Sequence, residues 1–196
     1  MIELHPYQDC WPQEFVAIGA LLRRALGPLA LRVDHIGSTS VPGLASKDVI
    51  DVQLTVHTFD NFEIIERQLI EVGFVMRPAV ISDHRPNDNS PAGSFEYDPE
   101  WEKRYFRESP GSRRTHIHVR AAGRSNQRYA FLFRDYLRAH PKSARAYEAL
   151  KFRLAECVGD NHTAYPETKD PVCDLILFAA ESWASAIGWT PGPSDV

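Results

Sequence analysis

Two short segments restrict this chain more than any others: "VIDVQLTV" at 49–56 and "THIHVR" at 115–120. Side chains alternate along a strand. On that reading Ile50, Val52, Leu54 and Val56 share one face of the first segment, and Asp51, Gln53 and Thr55 share the other. The second segment sets Thr115, Ile117 and Val119 against His116, His118 and Arg120. If the two strands are neighbours, a carboxylate, an amide and two imidazoles meet over one face of a sheet.

The flanking sequence supplies more elements. Pro12 to Leu26 reads as a helix, with Pro12 in its first turn, a stripe of Phe15, Ile18, Leu22 and Leu26, and Gly27-Pro28 as its stop. "LALRVDHI" (29–36) alternates as a strand does, and a short helix is expected around Leu44. Asp60 is expected to cap a helix from Asn61 to about Val72, before Gly73 and a strand at "FVMR". Residues 78–94, rich in Pro, Asn, Asp and Ser, read as a loop and a candidate substrate lid. "KRYFRE" and "THIHVR" flank "SPGSRR" as a hairpin. Three helices are then expected, opening at Ser125 or Asn126, at Pro141 and at Asp170-Pro171. The sum is an α+β fold in one domain over 1–196: a mixed sheet flanked by helices within 1–121, and a mainly helical layer over 125–190.

Composition narrows the class. A chain of 196 residues with 43% hydrophobic and 24% charged residues is ordinary for a soluble domain. No apolar run approaches the ~18 residues of a membrane span. "MIELHPYQDCW" has no basic patch leading into an apolar stretch, so no signal peptide is expected. Cys10, Cys157 and Cys173 are odd in number and form no CxxC, which favours reduced thiols and a cytoplasmic location. From Lys103 to Arg128 eight basic residues face one acidic residue, Glu108, in a chain whose net charge is −4. Such a field attracts phosphates without implying a nucleic-acid binder; the plain alternative is a hairpin with solvated arginines.

The stretch "HIGSTSVPGLASKDVIDVQL" (35–54) carries the chemistry. Gly37 lets backbone approach a ligand closely, and Ser38 and Thr39 offer donors to phosphate oxygens. Asp51 is a candidate ligand for Mg²⁺, with Gln53 a weaker one, because an amide oxygen brings no charge. Two histidines beside one carboxylate suit Mn²⁺ or Zn²⁺ better than Mg²⁺. The candidate metal set is therefore Asp51, Gln53, His116 and His118, and the catalytic set Asp51, His116 and His118. Phosphate contacts are expected from Gly37, Ser38, Thr39, Lys47 and Arg120. His35 is expected to be structural, as is an Arg134–Asp135 pair with Arg138 one turn beyond; Lys169 reads either way.

Ile36-Gly37-Ser38, twelve residues, then Asp51-Val52-Gln53-Leu54 resembles the nucleotidyltransferase superfamily signature, with glutamine where a second carboxylate usually stands. More of the chain is similar to the GrpB proteins of that superfamily, which also occur fused behind some bacterial dephospho-CoA kinases. The matching stretches are "PYQDCWPQEF", "HIGSTSVPGLASKDVIDVQLTV", "THIHV", "LFRDYLRAHP", "YEALKFRLA" and "AYPETKDPV". Asp48 departs from the pattern, standing where proline is common. The resemblance implies a nucleotidyltransferase-like fold but not the reaction. It leads us to expect a nucleoside triphosphate and a divalent metal (Mg²⁺, Mn²⁺ or Zn²⁺), and transfer of a nucleoside monophosphate to a small hydroxyl- or phosphate-bearing acceptor. The alternatives are a non-catalytic module, either a nucleotide or anion sensor or a helper that stabilises an acceptor protein or CoA-pathway enzyme, and a metal-dependent hydrolase. Neither membrane nor nucleic acid is an expected partner.

Overall fold

The structure, a computed structural model, describes residues 2–86, 97–161 and 163–196. Helix α1 (Trp11–Leu26) precedes strands β1 (Arg32–Ile36) and β2 (Ile50–Val56). Next come α2 (Phe62–Glu71), β3 (Phe74–Met76), β4 (Arg104–Glu108) and β5 (Thr115–Ala121). Helices α3 (Ser125–Ala139), α4 (Pro141–Val158) and α5 (Ala164–Ile187) complete the chain. The five strands form one mixed sheet in the order β1-β2-β5-β4-β3. Only the central β2–β5 pair is parallel; the other three pairs are antiparallel.

The sheet is two-faced because its strands alternate. Val33, Ile50, Val52, Leu54, Phe106, Ile117 and Val119 point one way and pack against Trp11, Phe15, Leu22 and Leu26 of α1 and Phe62, Ile65 and Leu69 of α2. Fully burying each such aliphatic side chain stabilises the fold by about 1.5–3 kcal/mol, so this face anchors the sheet. The opposite face is polar and lies under the C-terminal helices, where Gln127 of α3 hydrogen-bonds both Thr55 and Gln53. A mixed sheet with helices on both sides is the expected α+β architecture. The chain end runs beside β1, with Val33 N–H donating to Ser194 Oγ and Val196 N–H donating to the Val33 carbonyl.

Local expectations needed four corrections. Strand β1 begins at Arg32 rather than at residue 29, because Leu29 completes the 3₁₀ turn Gly27–Leu29 that follows α1. The short helix expected near Leu44 is instead a 3₁₀ turn at Ser38–Ser40, and Pro42-Gly43 prevents its continuation. Asp60 does not cap α2; its carboxylate takes the Thr58 hydroxyl, and Asn61 occupies the N-cap in the left-handed region. Helix α5 begins at Ala164, well before Asp170-Pro171, because Asn161 Oδ1 accepts the N–H groups of Thr163 and Ala164. Pro171 therefore lies inside a helix and forgoes one intrahelical bond. Of the candidate lid, residues 87–94 lie outside the described residues, whereas Val80, Asp83 and His84 line a cavity over the polar face.

Candidate functional site

The parallel register of β2 and β5 sets Asp51 opposite His116 and Gln53 opposite His118. The antiparallel partners extend these pairs into two rows across the sheet. One runs Arg107–His116–Asp51–Ile36, the other Tyr105–His118–Gln53–Asp34. Directly opposed residues share a face. Asp51 Oδ1 consequently lies 3.2 Å from His116 Nδ1 and 3.5 Å from His118 Nε2.

One donor atom from each of Asp51, His116 and His118 can be chosen so that all lie within 4.8 Å of one another. Burial works to raise the Asp51 carboxyl, but the two imidazoles outweigh it and hold the group well below the usual carboxylate range. Burial pushes His118 down to about 4, so at neutral pH it is an uncharged imidazole, the form that ligates metals. Its Nδ1 is buried and has no partner. An anionic carboxylate, neutral imidazole and an unspent ring nitrogen fit a divalent transition metal.

Gly37 is required for this geometry. Its φ is 70°, a left-handed conformation that side-chain-bearing residues rarely adopt, and an added Cβ would stand 2.9 Å from Asp51 Cβ. The following turn is not equally available to a ligand. Thr39 is fully buried; its hydroxyl donates to the Val49 carbonyl and meets His35 Nε2 at 3.0 Å. His35 itself stacks on Phe15 of α1, the structural place expected for it. Ser38 keeps its hydroxyl on the cavity wall.

Gln53 and Arg120 are engaged with each other. Gln53 is wholly buried, and its Oε1 accepts from Arg120 Nη1 at 2.6 Å. Arg120 also donates to Asp83 through Nε and Nη2, at 2.8 and 3.0 Å. Asp83 also takes Lys103 Nζ at 2.7 Å and Asn126 Nδ2 at 3.1 Å. Burial opposes ionisation of Asp83, yet Arg120 and Lys103 outweigh it and hold its pKa well below the ordinary value. The carboxylate that answers the basic hairpin thus comes from the loop first read as a lid.

The same cavity, of about 660 Å³, is also lined by Lys47, Lys151 and Lys169. Lys151, on α4, donates to Ser38 Oγ at 3.1 Å and to the Ala45 carbonyl. Burial lowers its pKa to about 8. Lys47 lies 4.0 Å from the Tyr165 ring centroid. Lys169 approaches Cys173 Sγ at 3.2 Å; burial disfavours its charge, but Tyr147, Cys173 and Asp170 outweigh burial and raise its pKa well above the ordinary value. Lys151 carries no sequence signal of its own, being mid-helix and separated by 113 residues from the serine it contacts. Arg134 pairs with Asp135 at 2.7 Å and donates to the His35 carbonyl, and Arg138 donates to the Ser40 carbonyl of the turn.

A carboxylate–imidazole cluster behind a glycine turn on a mixed sheet, in one cavity with three lysines, defines an α+β protein with a polar cleft. Comparison with known proteins gives the family: residues 1–178 match GrpB protein, and the chain belongs to the GrpB family. The solved structure of GrpB from Enterococcus faecalis superposes with a TM-score of 0.72 at 28% identity, covering 92% of this chain and 99% of that one. The UPF0157 protein BH1888 of Halalkalibacterium halodurans is 30% identical, over 92% of this chain and 83% of that protein. Dephospho-CoA kinase of Mycobacterium tuberculosis is 32% identical over 96% of this chain, and the chain spans 48% of that kinase's length. Among the described residues no helix is long and apolar enough to cross a membrane.

Proposed function

We propose that the cleft binds a nucleoside triphosphate with a divalent metal and transfers the nucleoside monophosphate to a small acceptor. The observation that carries this reading is the placement of Asp51, His116 and His118 along one cavity with Lys47, Lys151 and Lys169. A volume of about 660 Å³ lies within the ~300–1,000 Å³ usual for small-molecule sites.

Asp51, His116 and His118 are the residues that would hold the metal. When bound, it would supply positive charge against the phosphates and the developing negative charge of the reaction. The donor set favours Mn²⁺ or Zn²⁺ over Mg²⁺. Lys151 and Lys169 neutralise the β- and γ-phosphates, and Ser38 offers them its hydroxyl. The acceptor oxygen attacks the α-phosphorus; one P–O bond forms, the bond to the pyrophosphate oxygen breaks, and the acceptor proton leaves to His116 or to water.

A second reading has its own support. The chain matches only about half of the dephospho-CoA kinases, and Gln53 leaves the cluster with one carboxylate. A non-catalytic helper to a kinase fits both facts. Calorimetric titration with each nucleoside triphosphate and Mn²⁺, followed by turnover of labelled nucleotide, separates the two. The transferase reading expects binding, and turnover that is abolished in Asp51→Ala. A helper binds its partner equally well with or without Asp51, and a wild-type chain that binds no nucleotide leaves only the helper.

A further inference from the structure

The basic hairpin is mostly spent inside the protein. Six of the eight basic residues between Lys103 and Arg128 form ion pairs with carboxylates at 3.1 Å or less. Arg107 and Arg114 are the two that do not. Arg107 reaches only its neighbour Glu108, at 3.6 Å, and the other oxygen of that carboxylate already accepts the Thr115 N–H. The Nε of Arg107 is buried without a partner. A desolvated donor left unpaired costs about 1–3 kcal/mol, so an acceptor atom arriving there would recover free energy. Arg114 is exposed and forms no ion pair among the described residues.

Position gives these arginines meaning. Arg107 is the β4 member of the row that continues through His116 to Asp51, so it stands two strands, about 10 Å, from the acid. Ser38 follows β1, which pairs with β2 on the side of Asp51 away from β4, and Lys151 donates to that serine. Val75, opposite Arg107 on β3, is exposed, so this side of the row is open to solvent. Arg77 follows β3 at the same edge, is exposed, and acts electrostatically on Tyr105. In phosphoryl transfer the attacking and leaving oxygens are roughly in line. With pyrophosphate drawn toward the lysines, the acceptor must enter from the β4 side.

Resting on the transferase reading, we propose that Arg107, with Arg77 at the same sheet edge, binds a phosphomonoester on the acceptor. The acceptor is then a small hydroxyl compound that already carries a phosphate. Its phosphate sits over the β4 row while its hydroxyl faces Asp51 and His116.

The test is calorimetry on the full chain with Mn²⁺ and saturating α,β-methylene ATP, which occupies the lysine end without turning over. Inorganic phosphate and glycerol 3-phosphate are then titrated, with glycerol as the uncharged control. Wild type is expected to bind both phosphates and not glycerol. Arg107→Met is expected to weaken phosphate by about tenfold or more while leaving the analogue within about twofold, and Arg107→Lys to restore part of the loss. Lys151→Met is expected to do the reverse. Thermal melts of each variant confirm folding. Phosphate that competes with the analogue and ignores Arg107→Met overturns the proposal, because the lysines are then the only anion site. A short single-stranded RNA that binds the same arginines more than about tenfold tighter than glycerol 3-phosphate overturns the small acceptor. Failure of the analogue to bind wild type removes the transferase reading and this acceptor with it. Binding of the analogue without an Arg107-dependent phosphate removes the acceptor alone.

Discussion

Lys151 Nζ donates to Ser38 Oγ at 3.1 Å across 113 residues of chain, joining the fourth helix to the turn after the first strand. That bond lies on the wall of the cavity that also holds Asp51, His116 and His118, and it brings a cation to the serine of the glycine turn. Removing the cation by Lys151→Met should weaken triphosphate binding by about tenfold or more, the worth of one charge-assisted hydrogen bond.

Lys151 also gives the site a pH signature. Its pKa is lowered by burial to about 8, below the 10.5 of a free lysine. Its charge is lost as pH rises through 8, so triphosphate affinity should fall by up to about tenfold between pH 7 and 9. The ligand-free fold should move the other way. Between about 8 and 10.5 the unfolded chain binds more protons than the folded one, so this residue's contribution to stability rises with pH. Calorimetry and urea melts across that range check both slopes, and Lys151→Met should flatten both.

His35 predicts acid sensitivity. Burial depresses its pKa from 6.5 to about 4, so between those values the unfolded chain takes up the proton first. Stability should therefore rise as pH increases from 4 to 6.5, with His35 contributing up to about 3 kcal/mol of the change. His118 is depressed to a similar value and adds a slope of the same sign. His35→Gln should reduce the slope in urea melts without abolishing it.

Gly37→Ala should be costly twice over. The positive φ opposes any side chain, and the new methyl would press on Asp51. We expect a loss of about 1–3 kcal/mol in urea melts together with weakened metal binding. Alanine at Gly111, which has nothing near it, should show the φ penalty alone and keep metal affinity.

Thiol labelling reports occupancy of the cavity. Cys10 and Cys157 are exposed, whereas Cys173 is buried on the cavity wall beside Lys169. Maleimide should label the first two quickly and Cys173 slowly. Tripolyphosphate should slow Cys173 further and leave the others unchanged, as read by peptide mass spectrometry.

The sequence disclosed those parts of the site that depend on strand alternation. Asp51, His116 and His118 share a face because each strand alternates, and only the pairing of their strands needed the structure. Thr39 misled because a hydroxyl in a glycine turn suits phosphate and an internal hydrogen bond alike; His35, four residues earlier, claims it. Lys151 and Asp83 were invisible because packing alone brings them in, one from mid-helix and one from an irregular loop. The uncompensated charge of the 103–128 stretch did carry a signal. Half-buried basic residues require carboxylates from elsewhere, and Asp83 provides one for Lys103 and Arg120 and Glu14 one for Arg113. The early start of α5 is held by Asn161, two residues before its N-cap Thr163, which the stronger Asp170-Pro171 pattern masked.

The central claim is that Asp51, His116 and His118 together hold a divalent metal. Titration of Mn²⁺ into wild type, Asp51→Asn and His118→Ala, followed by calorimetry and by electron paramagnetic resonance of the free ion, addresses it most directly. One Mn²⁺ per wild-type chain is expected, with a loss of affinity of about tenfold or more in either variant. Mn²⁺ bound equally well by all three proteins, or by none, would contradict it.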